Sequence, residues 1–405
     1  MDALFSRRQF IRSAGLLTTA SAVWPRAWAS EDKVILPFEN GERELVAYPQ
    51  KRPLIRLTTR PPQLETPFAV FNDGLITPND AFFVRYHLAD IPTHVDPMTF
   101  RLKVHGAVNR PLELSLSDLK SSFSPVELLA VNQCSGNSRG HFNPRVAGGQ
   151  LSHGAMGNAR WTGVPLQQVL AKAGLSARAR QVAFDGLDRP VIAATPDFVK
   201  ALDIDHAVDG EVMLAFAMNG EDLPMLNGYP LRLVVPGYYG TYWLKHVNDI
   251  EVLETNYTGF WMSTAYRVPN NPSHSVMPGE TPKETAPISR FAIRSFITSL
   301  LDGAAVVANR ETVVRGIAFD SGQGIQRVGF SADGGQTWRD AELGSDLGRY
   351  SFREWKISFR PTKSGPAVAM ARAFNRAGES QPLEPLWNPA GYMRNVVEPV
   401  RYNVA

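Results

Sequence analysis

Proline and glycine punctuate this chain so densely that turns and short elements are favoured over long helices: 30 prolines and 32 glycines are spread through 405 residues. Proline removes a backbone donor and glycine weakens a helix, so such a chain builds from strands, loops and brief helices. Its length exceeds what one ordinary core encloses, and two domains are expected. The composition is that of a globular protein, with 44% apolar and 20% charged residues. A formal net charge of +3 is small for this size and gives no basis for nucleic-acid binding. The sequence shows no heptads, low-complexity tracts or repeats.

The N-terminal residues carry an export pattern. Arg7-Arg8 follows Ser6 with Phe10 two places on, a short apolar run extends from Ala14 through Trp24, and Ala27-Trp28-Ala29 is a small-x-small cleavage site. Residues 1–29 are therefore expected to be a twin-arginine signal peptide, which places the mature protein in the periplasm. The run is shorter than the roughly 20 residues that span a bilayer, and no other stretch is long and apolar enough, so no membrane span is expected. Twin-arginine export carries proteins already folded, often with a cofactor inserted, which hints at a cofactor here.

Residues 30–75 are proline-rich, with Arg60-Pro61-Pro62, and read as an extended segment wrapping the surface. Then the texture changes. Phe82–Leu88 reads as a strand leaving a turn at Pro78-Asn79-Asp80, and Phe100–Gly106 alternates like a second strand. Ser117 is a candidate N-cap for a short helix, and Val164–Ala173 has helical spacing with Gly174 as a stop. Val182–Phe184, Val212–Phe216 and Leu231–Val235 are strand candidates, the last running into Pro236-Gly237. Residues 76–270 are thus expected to form an α+β domain. Pro269, Pro272, Pro278, Pro282 and Pro287 mark a linker over 269–288. Beyond it, Thr312–Phe319, Ile325–Ser331, Trp355–Phe359 and Ala367–Ala373 are short strands, with a hairpin signal at Asp333-Gly334-Gly335. Residues 285–405 are expected to form an immunoglobulin-like sandwich.

Cys134 is the sole cysteine, so the chain can form no internal disulfide. A lone cysteine is either a small buried hydrophobe or a thiol kept for its chemistry. Its surroundings, Asn132-Gln133 before and Ser135-Gly136-Asn137-Ser138-Arg139 after, do not make an apolar core and suit a thiolate near positive charge. Arg85 and His87, two apart on a strand, share one face. Arg232 precedes and Lys245 follows the turn Gly237-Tyr238-Tyr239-Gly240. Cations beside glycine turns suit an anion or phosphate, although each alone also reads as a surface cation.

Several segments, in order, carry a specific resemblance: Phe82-Phe83-Val84-Arg85-Tyr86-His87, Cys134 through Arg139, Ala159 through Val164, Phe184 through Asp188, and Asn227 through Gly237. From about residue 75 to its end the chain resembles the sulfite oxidase family of molybdenum enzymes. Its tail resembles the family's dimerisation domain, including Ser331 through Trp338 and Pro385-Leu386-Trp387-Asn388. The resemblance implies an α+β molybdopterin-binding domain followed by an all-β, immunoglobulin-like dimerisation domain, with molybdenum-molybdopterin as cofactor. It implies that Cys134 is the thiolate ligand of molybdenum, that Arg85 and Arg139 bind sulfite, and that Tyr266 is the active-site tyrosine. It implies that Phe83, Val84, Arg85, Tyr86, His87, Asp188, Asn227, Arg232, Trp243, Leu244 and Lys245 hold the pterin and its phosphate. Asn227 stands where vertebrate members have histidine.

The implied reaction is oxygen-atom transfer from the molybdenum centre to sulfite, followed by reoxidation in two one-electron steps. One departure concerns the substrate cations: Ala390 occupies the slot where vertebrate members have a further arginine, and Arg394 is the candidate stand-in. The chain has no Cys-x-x-Cys-His and no cytochrome b5-like segment before residue 75. No haem is therefore expected in this chain, and a c-type cytochrome or haem subunit would accept the electrons, in a homodimer or in a heterodimer with that subunit. The expected activity is that of a sulfite dehydrogenase. The alternatives are a molybdopterin-dependent periplasmic methionine sulfoxide reductase, and a non-catalytic periplasmic anion-binding protein.

Overall fold

Short strands dominate the computed structural model, which describes residues 33–405. The signal peptide expected at 1–29 lies outside the described residues. Among the described residues no helix is long and apolar enough to cross a membrane.

The segment expected to wrap the surface is instead a folded layer. Lys33–Ile35, Glu42–Val46, Leu54–Thr58, Gln63–Glu65 and Val84–Arg85 form an antiparallel five-stranded meander. Its inner face buries Leu54, Leu64, Val84 and Tyr86 together. Pro61 and Pro62 sit in the turn before Gln63, where a missing donor costs nothing, so they punctuate the sheet rather than prevent it. The strand expected over Phe82–Leu88 is paired only at Val84–Arg85.

The central domain is built on two sheets. One has the order Lys200–Asp203, Gln181–Gly186, Val247–Leu253, Leu102–Gly106, Leu112–Leu114, with Val247–Leu253 running parallel to Leu102–Gly106. The other has the order Glu221–Asp222, Met213–Met218, Met156–Pro165, Val126–Gln133, and Arg232–Val234 also pairs with Met213–Met218. The first helix, Leu116–Ser121, is capped by Ser115 and not by Ser117. Ser115 Oγ accepts from the Asp118 amide at 3.1 Å while the Asp118 carboxylate accepts from the Ser115 amide at 2.9 Å, a reciprocal capping box. The next helix starts at Leu166 because Val164 and Pro165 complete the strand opposite Leu214 and Met213. Leu166, Val169, Leu170 and Ala173 face the core, and Gly174 ends the helix at φ +72°.

The C-terminal region is the expected two-sheet sandwich. Arg294–Ile297, Thr312–Phe319, Arg353–Phe359 and Glu342–Leu343 form one sheet; Ala304–Val306, Val400–Val404, Gly365–Asn375, Ile325–Ser331 and Arg339–Asp340 form the other. Trp355, Phe330 and Phe359 fill the space between them. The linker expected over 269–288 is closed by a two-stranded ribbon, Arg267–Pro269 against Thr285–Pro287. The sandwich docks on the central domain through shared aromatic packing: Phe68 meets Phe296 at 5.6 Å and Phe71 meets Phe352 at 6.0 Å, both edge to face. The Val131 amide donates to the Tyr350 carbonyl at 2.9 Å, tying the strand that leads to Cys134 to the second domain.

Candidate active site

Strand alternation sorts the Phe83–His87 segment. Phe83, Arg85 and His87 line a cavity that also receives Cys134, Asp188, Asn227, Arg232, Trp243, Leu244, Lys245 and Tyr266. Val84 and Tyr86 point the other way, into the core of the N-terminal sheet, so their side chains are not the pterin contacts the resemblance implies. The buried Tyr86 hydroxyl instead bonds His246 Nε2 at 2.6 Å.

Cys134 ends the strand Val126–Gln133 and opens a tight loop. The Asn137 amide donates to the Cys134 carbonyl and the Arg139 amide to the Gly136 carbonyl, each at 3.0 Å. Ser138 takes φ +70°, and its amide donates to the Ser152 carbonyl at 2.6 Å. The Ser152–Gly154 backbone is in turn fixed by the buried carboxylate of Glu65, which accepts from the Ser152 and Gly154 amides at 2.9 and 2.7 Å. From the second domain, Arg294 donates to Ser138 Oγ at 3.0 Å and to Glu398 at 3.3 Å. The half-buried Cys134 thiol is thus held on a loop clamped by three parts of the chain.

Positive charge collects beside it. Arg232 is buried, which pulls its pKa down to about 9, and burial together with Arg232 lowers that of Lys245. Lys51, delivered by the N-terminal layer, bonds Asn227 Oδ1 at 2.5 Å, and burial brings it down to about 7. Buried cations whose charge is this disfavoured favour an anionic ligand beside them. The polar atoms say the same: Asn132 Nδ2 and Oδ1, Ser135 Oγ, Arg232 Nε and Thr241 Oγ1 belong to residues that line this cavity, are buried and find no partner among the described residues. A phosphorylated, heteroatom-rich pterin satisfies such a cradle, and a half-buried thiol at its edge suits a metal that accepts thiolate. The residues fit molybdenum-molybdopterin.

Tyr266 closes the cavity in a strained conformation, with φ +58° for a non-glycine residue. Its hydroxyl is bonded to His87 Nε2 and accepts from Arg85 Nη2 at 3.3 Å. Burial raises the Tyr266 pKa, so the phenol stays protonated. Burial first, then Arg85, Lys245 and Lys200, push the His87 pKa well below its ordinary value, and the imidazole is neutral. Tyr392 from the second domain stacks on Tyr266 at 5.3 Å, and the Arg139 guanidinium lies 4.9 Å over the Tyr392 ring. Arg139 is brought beside the site but does not line the cavity; its Nε donates to the Ala390 carbonyl at 3.2 Å.

Arg394 is not brought to the site. Its Nε and Nη2 grip both oxygens of Glu398 at 2.9 and 3.0 Å, so the candidate stand-in for the missing arginine is already a member of a buried ion pair. The cavity also uses Phe198 and Thr241, for which the sequence offers no pointer, and Asn132, Ser135 and Gly240, which it shows only as neighbours of Cys134 and as part of a turn. Asn132 and Ser135 flank the cysteine and were within reach of it. Gly240 has a steric reason: a Cβ there would lie 2.4 Å from Asn132 Oδ1.

The oxidoreductase molybdopterin binding domain family matches residues 88–261, and the Mo-co oxidoreductase dimerisation domain family matches residues 285–404. Mitochondrial sulfite oxidase of Rattus norvegicus is 33% identical over 391 residues, covering 92% of this chain and 70% of that protein. Sulfite oxidase of Arabidopsis thaliana is 28% identical over 383 residues, covering 88% of this chain and 96% of its own length. Among solved structures, the sulfane dehydrogenase SoxCD from Paracoccus pantotrophus shares the fold, with a TM-score of 0.72 at 23% identity over 97% of this chain and 96% of that one. The cofactor is molybdenum-molybdopterin, and the chain belongs to the sulfite oxidase family of molybdopterin-dependent oxidoreductases.

Proposed function

We propose that this protein is a periplasmic sulfite dehydrogenase, oxidising sulfite to sulfate and passing electrons to a c-type cytochrome or a bound haem subunit. The observation that carries the reading is the convergence of Arg85, His87 and Tyr266 on the cavity that holds Cys134. Sulfite gains one oxygen that derives ultimately from water, and two electrons and two protons leave. The bound cofactor supplies oxygen-atom transfer and takes up the two electrons.

The protein's own part is binding and field. Arg85 offers a charged donor to the oxygens of a doubly negative substrate. Tyr266 keeps its proton and can donate it to a substrate oxygen when neutral His87 carries hydrogen on Nε2. Cys134 supplies the thiolate to the metal, and Asn227, Arg232, Lys245 and Lys51 hold the anionic cofactor. Arg7-Arg8 supports the periplasmic location, and the single cysteine, which leaves no c-type haem attachment motif in this sequence, supports a separate protein as electron acceptor. The match of residues 285–404 to a dimerisation family supports pairing, either with a second copy or with a haem subunit.

The test is turnover by the molybdenum-loaded protein. Sulfite-dependent reduction of cytochrome c is expected. Loaded protein that leaves sulfite untouched but reduces methionine sulfoxide with a viologen dye would overturn the reading in favour of a sulfoxide reductase; protein without molybdenum from a host that makes the cofactor would favour an anion-binding module.

A further inference from the structure

Lys200 is buried against the ring of the active-site tyrosine, with no countercharge among the described residues. It opens the edge strand Lys200–Asp203, opposite Phe184, and its side chain runs inward with 1% exposure. Its ammonium donates one hydrogen bond, to the Trp261 carbonyl at 2.7 Å. The charge also faces two rings: Nζ lies 4.5 Å from the centre of Tyr242 and 5.5 Å from that of Tyr266. Among the described residues no carboxylate pairs with it, and burial first, then the like charge of Arg267, bring its pKa down to about 7, so the protonated form that carries the charge is populated at and below neutral pH. A lysine kept for packing alone would be expected to carry an acidic partner or to be replaced by an apolar chain of the same length, because an uncompensated buried charge is costly.

Its surroundings give the charge a use. Tyr266 is the residue whose hydroxyl meets Arg85 and His87 at the cavity, and the Lys200 charge is felt at His87 as well. On Tyr266 stacks Tyr392, and over Tyr392 lies Arg139. Two stacked tyrosines therefore connect a cation from the edge strand to a cation from the Cys134 loop. Meanwhile the slot at Ala390 carries no charge and Arg394 is held by Glu398.

We propose that Lys200 is the third cation of the anion site, acting through Tyr266: its positive potential behind the ring makes the phenol a stronger donor and favours a doubly negative substrate in front of it. This rests on the sulfite reading. Lys200 does not touch substrate and is a positioning residue in that sense; what it positions is field.

The experiment compares molybdenum-loaded wild type with Lys200→Met and Lys200→Gln. Both variants lose the charge, but only Gln keeps a donor for the Trp261 carbonyl. Both should fold, since each removes a lone buried charge at nearly constant length, and thermal unfolding and molybdenum content verify this. KM for sulfite is expected to rise roughly tenfold in both while kcat stays within about twofold, and the inhibition constant of sulfate should weaken by the same factor. Unchanged KM and sulfate inhibition in folded, loaded variants overturn the proposal and leave the sulfite reading intact. So does a KM defect in Met that Gln repairs, which would reduce Lys200 to a structural hydrogen bond. A wild type that does not oxidise sulfite removes both.

Discussion

Replacing Arg85 by Gln should weaken sulfite binding far more than it slows the chemistry. Arg85 is half-buried at the cavity wall, and its guanidinium donates to the Tyr266 hydroxyl at 3.3 Å. A unit charge about 4 Å from a dianion gains roughly 4 kcal/mol per charge at an effective dielectric of about 20. Solvent at the open side screens part of that, and measured losses of hydrogen bonds to charged groups run at about 1.5–3 kcal/mol. Gln keeps an amide donor, so the lower half of that range applies, which corresponds to a KM rise of roughly 10- to 50-fold. Because Tyr266 loses one of its two partners, kcat should also fall, by about threefold or less. The assay is steady-state sulfite oxidation at two ionic strengths. Wild-type KM should rise with salt and that of the variant should rise less, since the screened charge is gone. A fully loaded Arg85→Gln enzyme with wild-type KM and wild-type salt dependence would refute the placement of Arg85 against the substrate.

Gly136→Ala tests the cysteine loop. The new Cβ would meet Cζ and both terminal nitrogens of Arg139 at 2.8 Å, and these flexible atoms can move, so the melting temperature should hardly change while KM rises by roughly tenfold. An unaltered KM would show that Arg139 contributes nothing from where it lies. Arg294→Met removes the brace from the second domain onto Ser138 and one partner of Glu398, which keeps Arg394; stability should drop by about 2 kcal/mol, read from denaturant unfolding, and an unchanged midpoint would contradict the brace. Acid should destabilise the fold in a defined window. Burial depresses His141 to about 4 and His246 to about 3, so below pH 6.5 the unfolded chain takes up protons that the folded chain refuses. Burial opposes ionisation of Glu398, but His153, Arg394 and Arg294 hold it down to about 2, and its contribution, full above its ordinary pKa, is lost in the same direction. These histidines should make the melting temperature fall as the pH drops from 6.5 to 4, and the fall should be shallower in His141→Gln; an identical slope in wild type and variant through that window would contradict the burial of His141.

The chemistry was more legible in the sequence than the scaffold that holds it. Cys134, Arg85, His87, Asn227, Arg232 and Lys245 lie in short motifs whose order identifies the family, and the cavity gathers all of them. Alternation along the strand separates Arg85 from Val84 and Tyr86, a distinction a contiguous motif conceals. Lys51 and Glu65 could not be found because their proline-rich stretch looks like an irregular wrap; only the pairing of Leu54–Thr58 with Gln63–Glu65 turns it into a layer that reaches the site. Arg394 failed for a different reason. It sits close in sequence to the expected slot, but its direction is set by a carboxylate one helical turn's distance along an irregular segment. Lys200 was readable in principle as a lone lysine beside apolar neighbours in a short strand, and its meaning emerges only with Tyr266 above it.

The most direct measurement is the electron paramagnetic resonance spectrum of the loaded protein after addition of sulfite. The account predicts about one molybdenum per chain and a Mo(V) signal that appears with sulfite, with the signal and turnover both absent in Cys134→Ser at an unchanged melting temperature. A wild-type protein that carries its molybdenum, shows no Mo(V) under sulfite and consumes none of it would contradict the account at its centre.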